Sequence, residues 1–423
     1  MIRFTSLLVT VLMLTGAVTH GKAQSSGLPH EDVTPGTNPS FALFDDAFYA
    51  NQLFLLGESH GVQKPQELDF ELLRHLNART GLRYYVAEVD PTKAYYLNQY
   101  LLTGQDTTLM KVFRSWIAQT AQWANADFVR KIGRIRALNQ TLPEGRRIRF
   151  IGIDAVQDEP LVAEQLRELT TGARLTPTAR PLLDSLTRLL HGKRNRTVDS
   201  LRAALAGAWL TDLRANENAY RKALGVNAGE LEATLTNLTY RHAIRQREPT
   251  LFANFRDAVA RLNLQSEKLY GFWGLFHVWQ APLADGRRPF AALVRASELP
   301  MRDKIVSITC AYADCFSMVP TQYLPPFWQE SGKRYSRIDK FNDNGELMYN
   351  EAMDVLLPPS RPNALTMFRL AGTAAGARPV RIRYAPFMPK EQQVAFMPDR
   401  PTTDYFQYVV LVRNSDMTEP LTP

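Results

Sequence analysis

Cysteine is scarce in this sequence, with only Cys310 and Cys315 among 423 residues. Two thiols cannot form a zinc site built from cysteine alone, and neither lies in a pattern typical of a cysteine nucleophile. In an exported protein two nearby cysteines form either a short disulfide loop or a pair of buried thiols. The sequence leaves both possibilities open.

Long apolar runs are missing beyond the N-terminal region. No later stretch of about 18 apolar residues exists, so we expect no membrane span there. The N terminus differs: Arg3 precedes an apolar stretch from Leu7 to Val18, and Gly21-Lys22-Ala23 resembles a cleavage site. This pattern predicts a secretory signal peptide over residues 1–23 and a soluble periplasmic or extracellular protein. The signal contains no cysteine, so an acylated lipoprotein anchor is not expected.

Strong charge of one sign is also absent. Basic residues exceed acidic ones by 48 to 42 once residues 1–23 are removed. The basic clusters at 145–149 and 192–196 contain no aromatic residues and match no nucleic-acid-binding module, so we expect no nucleic-acid partner. The motifs Gly-x-Ser-x-Gly and His-Glu-x-x-His do not occur, which disfavours a serine hydrolase or a zincin.

What is present is an alternation of strand and helix patterns. Residues 24–50 are rich in Ser, Gly, Pro and Asn and are predicted to be irregular. Apolar, strand-like runs follow at 53–56, 84–87, 148–153, 268–274, 304–309 and 408–412. Amphipathic helical patterns separate them, as at 67–80 and 106–140. The alternation predicts an α/β fold with a mostly parallel central sheet flanked by helices.

The longest helical stretch interrupts the sheet pattern. Leu-rich amphipathic segments continue from about 160 to 262, which is too long for an ordinary crossover connection. We therefore predict a helical insertion over 160–262 that caps the cleft at the strand ends. It would separate a first part of the α/β domain at 51–159 from a second part at 263–423.

Polar residues follow four of the predicted strands. Glu58 and His60 end the first strand in LFLLGESHG, Glu88 follows the second, Asp154 the third, and His277 the fourth. Ligands bind at the carboxyl ends of strands in open α/β sheets, so we expect these side chains to share one cleft. Each also has an ordinary alternative, such as a carboxylate that caps a helix or a hydrogen-bonded core histidine.

Acids and histidines in one cleft support two kinds of chemistry. In the first, His60 is held in one tautomer by Glu58 or Glu88 and deprotonates a water that attacks an ester or amide carbonyl. Arg247 or His277 would then stabilise the oxyanion. In the second, two histidines and one or two carboxylates hold a zinc or manganese ion that activates the water. The spacing does not select between them.

Five segments occur in the order seen in the erythromycin esterase family. They are LFLLGESHG, YYVAEVDPTKAYYLNQYL, IRFIGIDA, REPTLFANF and LYGFWGLFH, and they span roughly residues 50–290. The chain therefore resembles this family, which shares a superfamily with the TraB/Tiki metalloproteases and the ChaN-like haem-binding proteins. The resemblance implies that His60 is the water-activating base, that Glu58 and Glu88 are its acidic partners, and that Arg247 and His277 belong to the catalytic group.

The resemblance also implies supporting roles for Asp154, Glu248 and Asn254, in substrate binding or behind the catalytic group. One departure concerns the first motif, in which a single residue separates Glu58 from His60 where the family has two. Three functions follow as expectations: a secreted esterase acting on a small-molecule ester or lactone, a Tiki-like metal-dependent peptidase, or a haem-binding protein without enzymatic activity.

Overall fold

The structure is a computed structural model that describes residues 27–243 and 246–422. The predicted signal peptide at 1–23 lies outside the described residues. The strands are β1 (His30–Val33), β2 (Leu53–Glu58), β3 (Tyr84–Ala87), β4 (Arg149–Gly152), β5 (Leu269–Gly274), β6 (Ile305–Ala313), β7 (Ser317–Pro320), β8 (Tyr335–Ile338), β9 (Met348–Asn350), β10 (Leu365–Arg369), β11 (Ile382–Tyr384) and β12 (Tyr408–Arg413).

The helices alternate with these strands through most of the first half of the chain. They are α1 (Asp46–Tyr49), α2 (Gln63–Thr80), α3 (Pro91–Thr103), α4 (Asp106–Gln119), α5 (Ala126–Thr141), α6 (Glu159–Thr170), α7 (Ala179–Leu190), α8 (Arg196–Ala215), α9 (Glu217–Leu224), α10 (Asn227–Ala243), α11 (Arg247–Arg261), α12 (Leu275–Val278), α13 (Phe290–Arg295) and α14 (Met353–Leu356). In the described part of the chain, none of the helices is both long and apolar enough to cross a membrane.

A central sheet contains eight strands in the order β1-β10-β12-β6-β2-β5-β3-β4. All neighbours from β12 to β4 are parallel, whereas β10 is antiparallel to both β1 and β12. The predicted α/β fold with a mostly parallel sheet is therefore confirmed. Strands β2, β5 and β6 are buried along their whole length, as expected for central strands covered on both faces.

Helices cover both faces of the sheet. On one face α2, α3, α4 and α5 pack with Phe54 and Leu56 of β2, and on the other α11, α12 and α13 pack with Leu53 and Leu55. This alternation follows from the two-residue period of a strand, which directs successive side chains to opposite faces. Helices α6 to α10 form a helical bundle with an apolar core of its own, which includes Trp209. Helix α11 contributes no residue to this core and packs against the sheet instead.

Several local predictions were wrong. The segment 24–50 was predicted to be irregular, but its described part contains β1 and α1, which are too short to produce a periodic pattern. The helix predicted at 106–140 is two helices, because Thr120 takes a left-handed conformation (φ 54°) that ends α4. The short strands β7 to β11 were not predicted. The two cysteines are both buried and free, which favours the reduced alternative.

Candidate active site

Four neighbouring parallel strands deliver the candidate residues to one rim of the sheet. Glu58 is the last residue of β2, Glu88 directly follows β3, Asp154 lies two residues beyond β4, and His277 lies in the short helix α12 after β5. Because β2, β5, β3 and β4 are adjacent and parallel, their carboxyl ends lie side by side. The side chains predicted to meet are therefore in contact, although more than two hundred positions separate the first from the last.

His60 forms a pair with Glu58. Its Nδ1 atom lies 3.0 Å from Oε1 of Glu58, whose side chain is buried. Nε2 of His60 lies 3.9 Å from Oε1 of Glu88, beyond hydrogen-bonding distance, and the imidazole is partly exposed. A Cβ atom at Gly274 would come within 3.1 Å of this Nε2, so glycine at the end of β5 leaves room for the ring. Among the described residues, Nε2 of His60 thus has no hydrogen-bond partner and faces the cleft.

The turn that carries His60 is held by its neighbours. Gly61 has φ 87°, and a Cβ there would lie 2.5 Å from the carbonyl oxygen of Met318, so only glycine fits this turn. Gln122 donates to the carbonyl oxygens of His60 and Met318 at 3.2 and 2.7 Å. The indole of Trp123 packs against the imidazole with ring centroids 4.8 Å apart. The imidazole is therefore fixed on both its polar and its apolar side.

Arg247, at the start of α11, is the cation that joins the strand ends. Its guanidinium donates to both carboxylate oxygens of Asp154, at 3.2 and 2.7 Å, and to Oε1 of Glu88 at 2.7 Å. A third nitrogen lies 3.0 Å from Nε2 of His277. Such forked contacts give an arginine a defined orientation that a lysine cannot reproduce.

The contacts of His277 establish its tautomer. A guanidinium can only donate, so Nε2 of His277 must accept from Arg247. Nδ1 then carries the proton and donates to Glu248, at 2.8 and 2.9 Å from its two oxygens. Glu248 also accepts from the backbone amide of Phe290 at 2.8 Å. Both ring nitrogens of His277 are therefore engaged, one by Arg247 and the other by Glu248.

Asn254 supports the rim from behind. It lies two turns into α11, is buried, and donates to the carbonyl oxygens of Ile153 at 2.9 Å and Asp154 at 3.4 Å. These bonds connect the helix that carries Arg247 to the loop that carries Asp154. Asn254 makes no contact with either histidine and holds backbone instead.

Burial and neighbouring charges shift the acid–base behaviour of the site. Burial alone would raise the pKa of Glu88, but His277, His60 and Arg247 outweigh it and lower this pKa to about 2. Burial would lower the pKa of His60, but the hydrogen bond that its Nδ1 donates to Glu58 and the charges of Glu88 and Glu58 raise this pKa above 6.5. Burial dominates for Glu58 and raises its pKa. For Arg247 burial is outweighed by Asp154 and Glu88, which raise its pKa well above the usual range.

The sequence interpretation missed a polar layer beneath the His60–Glu58 pair. Gln66 on α2 donates to both oxygens of Glu58, and its own oxygen accepts from Lys131 on α5. These side chains help to line a cavity of about 30 Å³ beside His60 and Glu88, which has room for one or two waters. The available signal was the spacing of polar residues among apolar ones on α2, since Gln66 precedes Asp69 by one turn and both are buried.

The donor arrangement at the rim does not fit a metal ion. No group of three or more His, Cys, Asp or Glu side chains is arranged to hold a metal within residues 27–243 and 246–422. The reason is visible at Arg247, whose guanidinium occupies the position between Glu88, Asp154 and His277 where a cation would lie.

No protein-family model matches the sequence, and no curated protein matches it. Among solved structures, the chain is similar to a protein from Bacillus cereus, with a TM-score of 0.65 and 15% identity over 92% of this chain and 96% of that one. It is similar to a mutant of the erythromycin esterase EreC in its open conformation, with a TM-score of 0.61 and 13% identity over 94% and 100% of the two chains. A succinoglycan biosynthesis protein gives a TM-score of 0.64 and 14% identity over 92% and 95%. At these identities the comparisons establish a shared fold.

Proposed function

We propose that this protein is a hydrolase of the erythromycin esterase type, in which His60 activates a water to cleave an ester or lactone. The observation that carries the proposal is the contrast between the two imidazoles. Both have a carboxylate at Nδ1, but Nε2 of His277 contacts Arg247, whereas Nε2 of His60 has no hydrogen-bond partner in the part of the chain that the structure describes. A general base needs such a free, oriented nitrogen.

The hydrolytic step follows from this arrangement. Nε2 of His60 takes a proton from a water as the water oxygen attacks the carbonyl carbon, and Glu58 stabilises the resulting imidazolium. Arg247 lies beside the site, bonded to Glu88 and His277, and would stabilise the oxyanion of the tetrahedral intermediate. When the intermediate collapses, the C–O bond to the leaving alkoxide breaks and the imidazolium returns its proton to that oxygen. Glu88 and Asp154 hold the guanidinium in place.

The fold shared with EreC and the resemblance of the five sequence segments support an ester or lactone as substrate. On the same grounds we propose that the chain is a member of the erythromycin esterase family. We also propose export to the periplasm or the extracellular space, on the pattern of residues 1–23. The partner we expect is a small molecule and not a nucleic acid. The alternative of a metal-dependent peptidase has less support, because the guanidinium of Arg247 lies between the carboxylates and the histidine that would bind a metal.

The experiment is an activity screen of purified protein against aryl esters, lactones and peptides, with and without added zinc or manganese. We expect ester or lactone hydrolysis that a chelator leaves unchanged. His60→Ala should lower kcat/KM by about 10²–10⁴-fold, the usual contribution of a general base. The matched control is His30→Ala, because His30 is an exposed histidine on the edge strand β1.

Two outcomes would overturn the proposal. One is a folded His60→Ala variant that retains activity within a few-fold of the wild type. The other is peptide cleavage that requires added metal, which would favour the Tiki-like alternative.

Glu88→Gln should also cost more activity than Glu248→Gln, because Glu88 holds Arg247 while Glu248 acts only through His277.

A further inference from the structure

A buried amide connects the catalytic rim to a buried ammonium. Nε2 of Gln66 lies 3.3 and 3.2 Å from the two oxygens of Glu58, and its Oε1 accepts from Nζ of Lys131 at 2.7 Å. Only 7% of Gln66 and 3% of Lys131 is exposed. The orientation of the amide is therefore determined: its oxygen must face the donor-only ammonium, and its nitrogen must face the carboxylate.

The ammonium is itself held in place. Nζ of Lys131 forms an ion pair of 2.6 Å with Asp69, which also accepts from the hydroxyl groups of Tyr85 and Tyr270, each at 2.7 Å. The ring of Phe272 lies 4.4 Å from Nζ. Because every partner is buried, removing one member would leave the others unsatisfied in a medium of low dielectric constant. The chain of contacts therefore reaches Glu58 as a fixed unit.

Hydrogen bonds donated to a carboxylate favour its ionised form. The active form of the pair contains an ionised Glu58 and a neutral His60, in which the carboxylate charge has no imidazolium to balance it. The two bonds from Gln66 and the nearby positive charge of Lys131 stabilise this form more than either protonated form of the pair. Their combined effect is to lower the pH at which the pair loses its last proton.

We propose that Gln66 and Lys131 are positioning residues that keep Glu58 ionised and thereby set the lower pH limit at which His60 acts as a base. This inference rests on the proposed hydrolase function. Neither residue touches the reacting atoms; both act through Glu58.

Other groups also face the pair, and they remain the same in the variants below. They are Asp69 on α2, Tyr85 on β3, Glu88 after β3, Arg247 on α11, and Cys310 and Tyr312 on β6. Burial raises the pKa of Tyr85, Tyr312 and Cys310, so these three groups stay neutral in the pH range of the test.

The test compares wild-type protein with Gln66→Leu and Gln66→Glu by two measurements. The first is the acidic limb of the pH profile of kcat/KM. The second is an NMR titration that follows the imidazole of His60 and the carboxyl carbon of Glu58 and needs no substrate. Both variants should raise the pH at which the pair loses its last proton, by about one unit for Gln66→Leu. Gln66→Glu should raise it further, because it keeps the contact to Lys131 but replaces the donors by a second carboxylate.

The matched control is Gln63→Leu. Gln63 lies on the same helix and donates to a different carboxylate, that of Asp127, at 3.3 Å. It should leave both measurements unchanged. A titration midpoint within 0.2 units of the wild type in both folded Gln66 variants would overturn the inference.

The two readouts separate this inference from the proposed function. If the wild type hydrolyses no ester or lactone but the NMR midpoint rises in the Gln66 variants, the coupling to Glu58 stands and the hydrolase proposal fails. If the wild type is active through His60 and the midpoint does not move, the hydrolase proposal stands and the coupling fails. A variant that loses activity with an unchanged pH profile indicates a purely structural role for Gln66 and also overturns the inference.

Discussion

The pKa of Glu88 leads to a quantitative test of the site that does not depend on any substrate. In the folded protein this pKa is lowered from 4.5 to about 2, chiefly because the charges of His277, His60 and Arg247 outweigh the effect of burial. A carboxylate that ionises more readily in the folded state stabilises that state above the pKa of the unfolded chain. The stabilisation is lost as the pH falls through the folded pKa.

The magnitude follows from the size of the shift. One pKa unit corresponds to about 1.4 kcal/mol, so Glu88 should contribute about 3 kcal/mol at pH 7. At pH 3 the carboxylate is already protonated in the unfolded chain but mostly ionised in the folded one, and linkage leaves a contribution of about 1 kcal/mol. Glu88→Gln mimics the protonated side chain in size and in its ability to accept from the amide of Gly274. The stability difference between the wild type and this variant should therefore shrink by about 2 kcal/mol between pH 7 and pH 3.

The assay is urea unfolding followed by tryptophan fluorescence at several pH values for both proteins. Glu144→Gln is the control: Glu144 is exposed and takes part in no ion pair within the described residues, so its effect should stay below about 0.5 kcal/mol at every pH. A difference for Glu88→Gln that is independent of pH, or that grows on acidification, would show that the cations do not surround this carboxylate as described.

Three further predictions follow from other parts of the site. The pKa of His60 is raised in the folded state. The stability advantage of the wild type over His60→Asn should therefore be complete below pH 6.5 and should decline as the pH rises through the folded pKa. Urea unfolding of both proteins at pH 5.5 and pH 9 measures this change. Lys131→Met should destabilise the fold by about 3–5 kcal/mol by leaving Asp69 unpaired, and Asp69→Asn in the same chain should restore part of the loss in thermal unfolding. Cys310 and Cys315 should not react with a thiol reagent in the folded protein. Once the protein is unfolded, without any reductant, the reagent should titrate two thiols.

The sheet and the strand-end residues could be predicted from the sequence because both depend on local patterns. Buried strands such as LFLLGE are uniformly apolar until their last residue, and parallel strands place their carboxyl ends at one rim. Glu58, Glu88 and Asp154 therefore stood out as polar residues at the ends of apolar runs. The antiparallel strand β1 had no such signal, because three of its four residues are polar and it forms no apolar run.

The central position of Arg247 could not be predicted from its own surroundings. An Arg-Glu pair at the start of an amphipathic helix usually forms an exposed ion pair, and only the family resemblance singled it out. The same limit applies to Gln66, which is one of several buried polar residues on α2, together with Asp69 and Asn77. Whether such a residue meets a carboxylate depends on the packing of α2 against the end of β2, which is a tertiary property.

The charge balance at the rim explains why the sheet needs α11 to complete the site. The strand ends alone bring together Glu58, Glu88 and Asp154, three buried carboxylates whose mutual repulsion and desolvation would oppose folding. Arg247 enters from α11, directly after the helical bundle, and bonds to two of the three. Lys131 reaches the third through Gln66 from the opposite face of the sheet. Helices on both faces thus each supply a cation to an acidic rim that the strands create. The site is consequently complete only when both layers are packed, so a change that loosens either layer should alter the ionisation of His60 even when it touches no residue of the cleft.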